Sequence, residues 1–102
     1  MHYVYIIYSP SFDRYYIGES VNAVNRTQQH NSAFYDSAST SFTRDWQLCL
    51  QLQVANRLQA IKVERYIKSM KSKAFIRKLL SDESFLINFK EIIRQKFQIE
   101  IE

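Results

Sequence analysis

Cysteine, glycine, proline and tryptophan each occur once in this chain of 102 residues, and no apolar run is long. A lone cysteine, Cys49, cannot form an internal disulfide, so nothing points to an oxidising compartment. Set between Leu48 and Leu50, it reads as a buried structural thiol. No stretch approaches the roughly 20 apolar residues of a membrane helix, so no membrane partner is expected. Met1-His2-Tyr3 does not lead from a basic segment into an apolar run, so no signal peptide is expected and the expected location is cytoplasmic. Internal repeats and low-complexity tracts are absent. What remains is 46% apolar and 24% charged, an ordinary globular balance that argues against disorder. The length suits one domain with a modest core.

The formal net charge of +4 is unevenly spread. Arg57, Lys62, Arg65, Lys68, Lys71, Lys73, Arg77 and Lys78 share their stretch with one acid, Glu64. From Ser81 onward Asp82, Glu83, Glu91, Glu100 and Glu102 outnumber Lys90, Arg94 and Lys96. A local basic field suits a polyanion, and it equally describes a solvated helix face.

Tyr3 to Tyr8 is wholly apolar or aromatic and reads as a buried strand. Tyr15 to Gly18 forms a second strand, with the glycine ending it at a turn. The polar Ser9-Pro10-Ser11-Phe12-Asp13-Arg14 between them makes the pair a β-hairpin, which brings the Tyr5 and Tyr16 hydroxyls to one place. A helix follows from about Asn22, its cap, to Asn31, and the small polar residues Ser32 to Ser41 read as a loop. Trp46, Leu48, Leu50, Leu52 and Val54 alternate with polar or small neighbours in a half-buried strand. Asn56 caps a helix running to about Met70. Lys73 to Leu80 forms another, burying Phe75, Ile76, Leu79 and Leu80. After Ser81, a cap candidate, Phe85, Leu86, Phe89, Ile92, Ile93 and Phe97 recur at helical spacing, on the domain or as an interface with a partner. Phe97, Ile99 and Ile101 alternate as in a short edge strand. This order predicts an α+β domain: a small three-stranded, mainly antiparallel sheet flanked by helices, plus an additional C-terminal helix.

Some polar residues stand where apolar ones are expected. Glu64 projects beside the stripe Ala60, Val63, Ile67 and Met70. A carboxylate at a core boundary needs an ion pair, for which Lys68 at i+4 is placed, or a bound cation. Arg26 and His30 share one helix face with Ala23. Either both are solvated or an anion such as phosphate sits beside them. Tyr3, Tyr5, Tyr15 and Tyr16 are packing residues by the ordinary reading, and Trp46 a core anchor.

Together these residues resemble the GIY-YIG nucleases, a family met in homing endonucleases, some restriction enzymes and the first nuclease domain of the bacterial excision-repair endonuclease. Tyr3-Val4-Tyr5 and Tyr16-Ile17-Gly18, separated by ten residues, match the two halves of the name motif. Arg26 follows Gly18 by eight residues, and His30 follows Arg26 by four, with Asn31 next. Thr40 to Trp46 resembles the basic loop that enters the third strand, and Gln59 to Lys68 resembles the helix carrying the metal-binding glutamate. The layout is most similar to the small stand-alone bacterial members. It covers about Tyr3 to Leu80, which implies a nuclease domain over residues 1–80 and a helical extension over 81–102 packed on it.

Tyr3 and Val4 stand in place of Gly-Ile. Glu19 occupies a position where some members carry a lysine thought to help ionise a tyrosine, and an acid would oppose that. The resemblance implies a magnesium-dependent DNA endonuclease, with manganese as a possible substitute, acting by structure or with weak selectivity. A weakly catalytic nucleic-acid-binding module of the same fold is the alternative. In the first reading Glu64 holds the metal, Arg26 clamps the phosphate and Tyr5 or Tyr16 is the base. His30 donates to a phosphate oxygen or holds a tyrosine. Arg44, Arg57, Lys62, Arg65, Lys68, Lys71 and Lys73 contact the nucleic acid. A phenol has an ordinary pKa near 10, so Arg26 and the metal must favour its phenolate.

Overall fold

A computed structural model describes residues 1–32 and 39–102. Most of the loop expected over Ser32 to Ser41 therefore lies outside the described residues. Three strands, β1 (His2–Ser9), β2 (Arg14–Ser20) and β3 (Gln47–Val54), form an antiparallel sheet in the order β2-β1-β3. Helix α1 (Ala23–His30) follows the hairpin, and α2 (Arg57–Ser69), α3 (Lys73–Ser81) and α4 (Glu83–Phe97) follow β3. The α+β class and the three-stranded sheet are as expected. Among the described residues no helix is long and apolar enough to cross a membrane.

The central strand is β1 because it can be buried on both faces. Val4, Tyr5, Ile6 and Ile7 are each 1% exposed or less. Val4 and Ile6 pack with Ile17, Leu52 and Val54 against Ala60, Val63 and Ile67 of α2 and, further out, Leu79, Phe89, Ile93 and Ile99. Tyr5 and Ile7 point the other way and pack with Ala23 of α1 and Trp46. The sheet thus separates a large aliphatic core from a smaller aromatic one.

Local chemistry sets the helix starts. Asn22 Oδ1 accepts from the Asn25 amide at 3.0 Å, and Asn56 Oδ1 accepts from the Gln59 amide at 3.0 Å. Asp82, not Ser81, caps α4, its Oδ1 accepting from the Phe85 amide at 3.1 Å. Ser81 Oγ donates instead back to the Arg77 carbonyl at 2.7 Å. Met70 falls just past the end of α2 and is exposed, outside the stripe assigned to it.

Two expectations for β3 change. Its register against β1 shifts between Ile6 and Ile7, which pair with Leu50 and Leu48. Cys49 is the extra residue of this bulge, so it is exposed rather than a buried thiol. The bulge also turns Leu48 to the aromatic side while Leu50 packs on the aliphatic side. At the C-terminus Ile99 is buried, yet residues 98–102 form no strand. One backbone bond, from the Glu102 amide to the Gln53 carbonyl at 3.0 Å, joins them to β3.

The face of α4 suggested as a partner interface is mostly used inside the chain. Phe89 and Ile93 are 2% and 0% exposed, whereas Ile87 and Ile92 face outward. Ile93→Ala is expected to cost about 2–5 kcal/mol by leaving a cavity. Ile92→Ala should stay within about 0.5 kcal/mol, as surface changes do. Urea unfolding of both variants measures the contrast.

Candidate active site

The hairpin turn Pro10 to Asp13 fixes the register of the tyrosines, with Asp13 in the left-handed region at φ 52°. In that register Tyr5 faces Gly18, and Tyr16 faces Ile7. The two tyrosines are therefore diagonal neighbours rather than a direct pair, with ring centroids 6.5 Å apart. Gly18 lies inside β2 and does not end it. A Cβ there would stand 2.5 Å from Tyr5 Oη and 2.6 Å from Cζ, so the glycine provides room for the phenol.

His30, 4% exposed at the end of α1, meets this phenol. Its Nε2 is 3.0 Å from Tyr5 Oη, and its Nδ1 is 2.8 Å from the hydroxyl of buried Thr40. The Thr40 carbonyl in turn accepts from Trp46 Nε1 at 3.1 Å. The Tyr16 ring stands edge-on against the imidazole, with centroids 5.1 Å apart and the planes inclined at 60°. Burial, then the neighbouring Arg26 charge, holds the His30 pKa below its ordinary 6.5. A neutral imidazole has one N–H and one lone pair, so two arrangements satisfy the chain. His30 donates to Thr40 and accepts from Tyr5, or it accepts from Thr40 and donates to the Tyr5 oxygen.

Arg26 is half-buried on the same face of α1 as His30. Tyr5, Tyr16, Arg26 and His30 thus stand together on one wall. Glu64 comes from α2, with its side chain 18% exposed, and accepts from Lys68 Nζ at 2.8 Å. That ammonium lies 5.8 Å from the Tyr16 ring centroid, so the pair reaches toward the tyrosine wall.

Glu19 does not belong to the wall. Strand alternation turns it to the opposite face from Tyr16 and Gly18. There it accepts from His2 Nε2 at 2.6 Å and Arg57 Nε at 3.4 Å. The expected opposition to tyrosine ionisation loses its geometric basis.

The expected basic surface is divided. Arg44, Arg57, Lys62, Arg65, Lys68, Lys71 and Lys73 are all exposed. Arg57 is engaged by Glu19, and Lys68 by Glu64. Lys73 donates to the Asp13 carboxylate at 2.7 Å. Lys62 and Arg65 line an open groove of about 420 Å³ with Tyr66, Ser69 and Phe97. Arg44 donates to the Ser41 carbonyl at 3.3 Å.

Sequence reasoning missed Thr40, whose place beside His30 depends on a contact no spacing reveals. Asn31 was visible as the residue after His30. Its side chain accepts from the Trp46 amide at 2.7 Å and donates to the Trp46 carbonyl at 2.8 Å, tying the end of α1 to the entry of β3. Asp45 was also missed. It accepts from Ser9 Oγ, Thr43 Oγ1 and the Ser11 amide, which together hold its carboxyl far below the usual carboxylate range.

A wall bearing a guanidinium, a buried phenol–imidazole pair and a nearby carboxylate can hold an anion against a proton acceptor. The family model described as the GIY-YIG catalytic domain matches residues 1–80. The chain therefore belongs to the GIY-YIG family and has its nuclease fold. The match does not single out the excision-repair endonuclease. No curated protein and no solved structure matches the chain.

Two changes probe the wall. Gly18→Ala should destabilise the fold by about 1–3 kcal/mol through overpacking against Tyr5, measured by urea unfolding. Removing a neighbouring positive charge eases protonation, so NMR titration of Arg26→Gln should show His30 titrating at higher pH than in the unaltered protein.

Proposed function

We propose that this protein is a magnesium-dependent endonuclease hydrolysing DNA phosphodiester bonds, with a catalytic domain over residues 1–80 and an extension over 81–102. The observation that carries this reading is the buried Tyr5–His30 hydrogen bond beside Arg26, in a chain of this family. Arg26 binds the scissile phosphate, its planar donors matching two phosphoryl oxygens. His30, accepting from Thr40 at Nδ1, donates an Nε2–H hydrogen bond to the Tyr5 oxygen and so favours the phenolate, the phenol's own proton having passed to solvent. Tyr5 then takes a proton from the attacking water as the new P–O bond forms. The bond to the leaving oxygen breaks, and that oxygen is protonated from solvent. Tyr16 walls the imidazole and orients the phosphate.

Glu64 is the residue that would hold the metal. One half-buried carboxylate, with no cluster of three or more His, Cys, Asp or Glu side chains among the described residues, suits magnesium, which keeps several waters and few protein ligands. Manganese accepts the same oxygen donors. Bound there, the ion would supply charge neutralisation at the phosphoryl oxygens. Lys68 would have to release the carboxylate or share it. Of the basic side chains, Lys68 lies beside Tyr16, and Arg44, Lys68 and Lys71 are the proposed backbone contacts. The weakly catalytic alternative rests on Glu19 and on the small size of the chain, and Glu19 faces away from Tyr5 and Tyr16.

Arg26→Ala and Glu64→Gln should each lower the DNA cleavage rate by at least about a hundredfold, the scale of losing one transition-state contact. Far-UV circular dichroism should stay unchanged. Chelation should abolish cleavage and added magnesium restore it. Full activity in either variant would overturn the reading.

A further inference from the structure

Two large aromatic side chains stay in solvent at one end of the tyrosine wall. Phe12, at the hairpin tip, is 52% exposed, and Phe42, before β3, is 43% exposed. They contact each other edge to face with centroids 4.9 Å apart. Neither is stranded, because a continuous aromatic line leads inward from them. Phe42 lies 5.6 Å from Trp46, Trp46 lies 6.4 Å from Tyr16, and Tyr16 lies 5.1 Å from His30. Along the chain Phe12 is four residues from Tyr16, a span of at most about 14 Å.

The surroundings of the pair are cationic. The Arg14 guanidinium stands 5.8 Å from the Phe42 centroid, and exposed Arg44 is two residues further on. The two acids nearby are already occupied. Asp13 is held by Lys73, Arg77 and the Tyr8 hydroxyl, and Asp45 by Ser9, Ser11 and Thr43. Exposed apolar rings flanked by guanidinium groups fit a partner that is both flat and anionic. Unpaired nucleotides have this chemistry, with a π-face to stack and a phosphate for each arginine. A paired base keeps its faces inside the duplex and offers the rings nothing.

Building on the endonuclease reading, we infer that Phe12 and Phe42 form a stacking platform for unpaired bases a few nucleotides from the bond cut. The preferred substrate is then DNA with a single-stranded segment at the cleavage site. Stacking one base on an aromatic side chain is worth about tenfold in affinity.

The test is fluorescence anisotropy of labelled single-stranded and duplex DNA with the full chain in chelator, where binding is read without cleavage. Phe12→Ala should weaken single-strand binding about tenfold and duplex binding by less than about twofold, and Phe12→Trp should retain single-strand binding. Equal losses on both DNAs, or none, would overturn the platform. So would sedimentation showing that the unaltered protein self-associates through this pair and that Phe12→Ala abolishes the association. With magnesium added, the same variants are compared on flapped and linear duplexes. Absence of cleavage in the unaltered protein, with the anisotropy contrast intact, would count against the endonuclease reading alone.

Discussion

The tyrosine at the centre of β1 is confined from two sides, and the wall depends on that confinement. Its ring lies over Gly18, and its hydroxyl meets His30. Burying a phenol without a hydrogen-bond partner costs free energy, and the imidazole removes the cost. The imidazole is itself buried and needs a second partner, which Thr40 supplies, while the Thr40 carbonyl is taken by Trp46. Asn31 fastens the Trp46 backbone to the end of the helix that carries His30, so the chain of contacts closes on itself. No buried side-chain nitrogen or oxygen among the described residues lacks a partner. A fully satisfied polar network of this kind holds its rings and hydroxyls in place whichever way its protons run.

The two faces of the sheet divide the work. On the aliphatic face Val63 and Ile67 of α2 pack under the sheet, and Leu79, Phe89 and Ile93 of α3 and α4 extend the same cluster outward. That side contributes most of the burial and asks nothing of the polar network. On the aromatic face, a single short helix brings Arg26 and His30 to the tyrosines. Glu64 belongs to the aliphatic side by its helix but sits at the margin of its stripe, and the Lys68 ammonium joined to it reaches Tyr16. An acid at a helix margin is thus placed to serve the other face without being buried in either core.

How much of this could be read beforehand follows from what each signal encodes. The strands of the hairpin, the Asn22 and Asn56 caps and the apolar stripe Ala60, Val63 and Ile67 arise from local chemistry, and spacing alone revealed them. Spacing singles out Glu64, Arg26 and His30 and the hairpin brings Tyr5 and Tyr16 together, but their roles come from a resemblance, and the grouping of Tyr5, Tyr16, Arg26 and His30 needs coordinates. Their diagonal arrangement required the register, which the turn at Pro10 to Asp13 decides. The side taken by Glu19 followed from the same register, since it shares the parity of Ile17 and not of Tyr16. The bulge at Cys49 left no trace, because Leu48 and Leu50 alternate as they would in a regular strand. Thr40 sat in a polar stretch without periodicity, and its role comes entirely from meeting a histidine ten residues earlier.

The charges complete the picture, because the cations that looked alike in sequence have different occupations. Lys73 and Arg77 brace α3 against the hairpin turn through Asp13, and Arg57 brackets Glu19 with His2. These pairs tie elements together across 60 and 38 residues of chain, respectively for Lys73–Asp13 and Arg57–Glu19. The Lys68–Glu64 pair differs, spanning one helical turn and linking no separate elements. Opening it would leave the packing intact, and a half-exposed lysine can turn to water or to a phosphate at little cost. It is therefore the one of these ion pairs that a ligand beside the tyrosines could exchange without disturbing how the elements are held together.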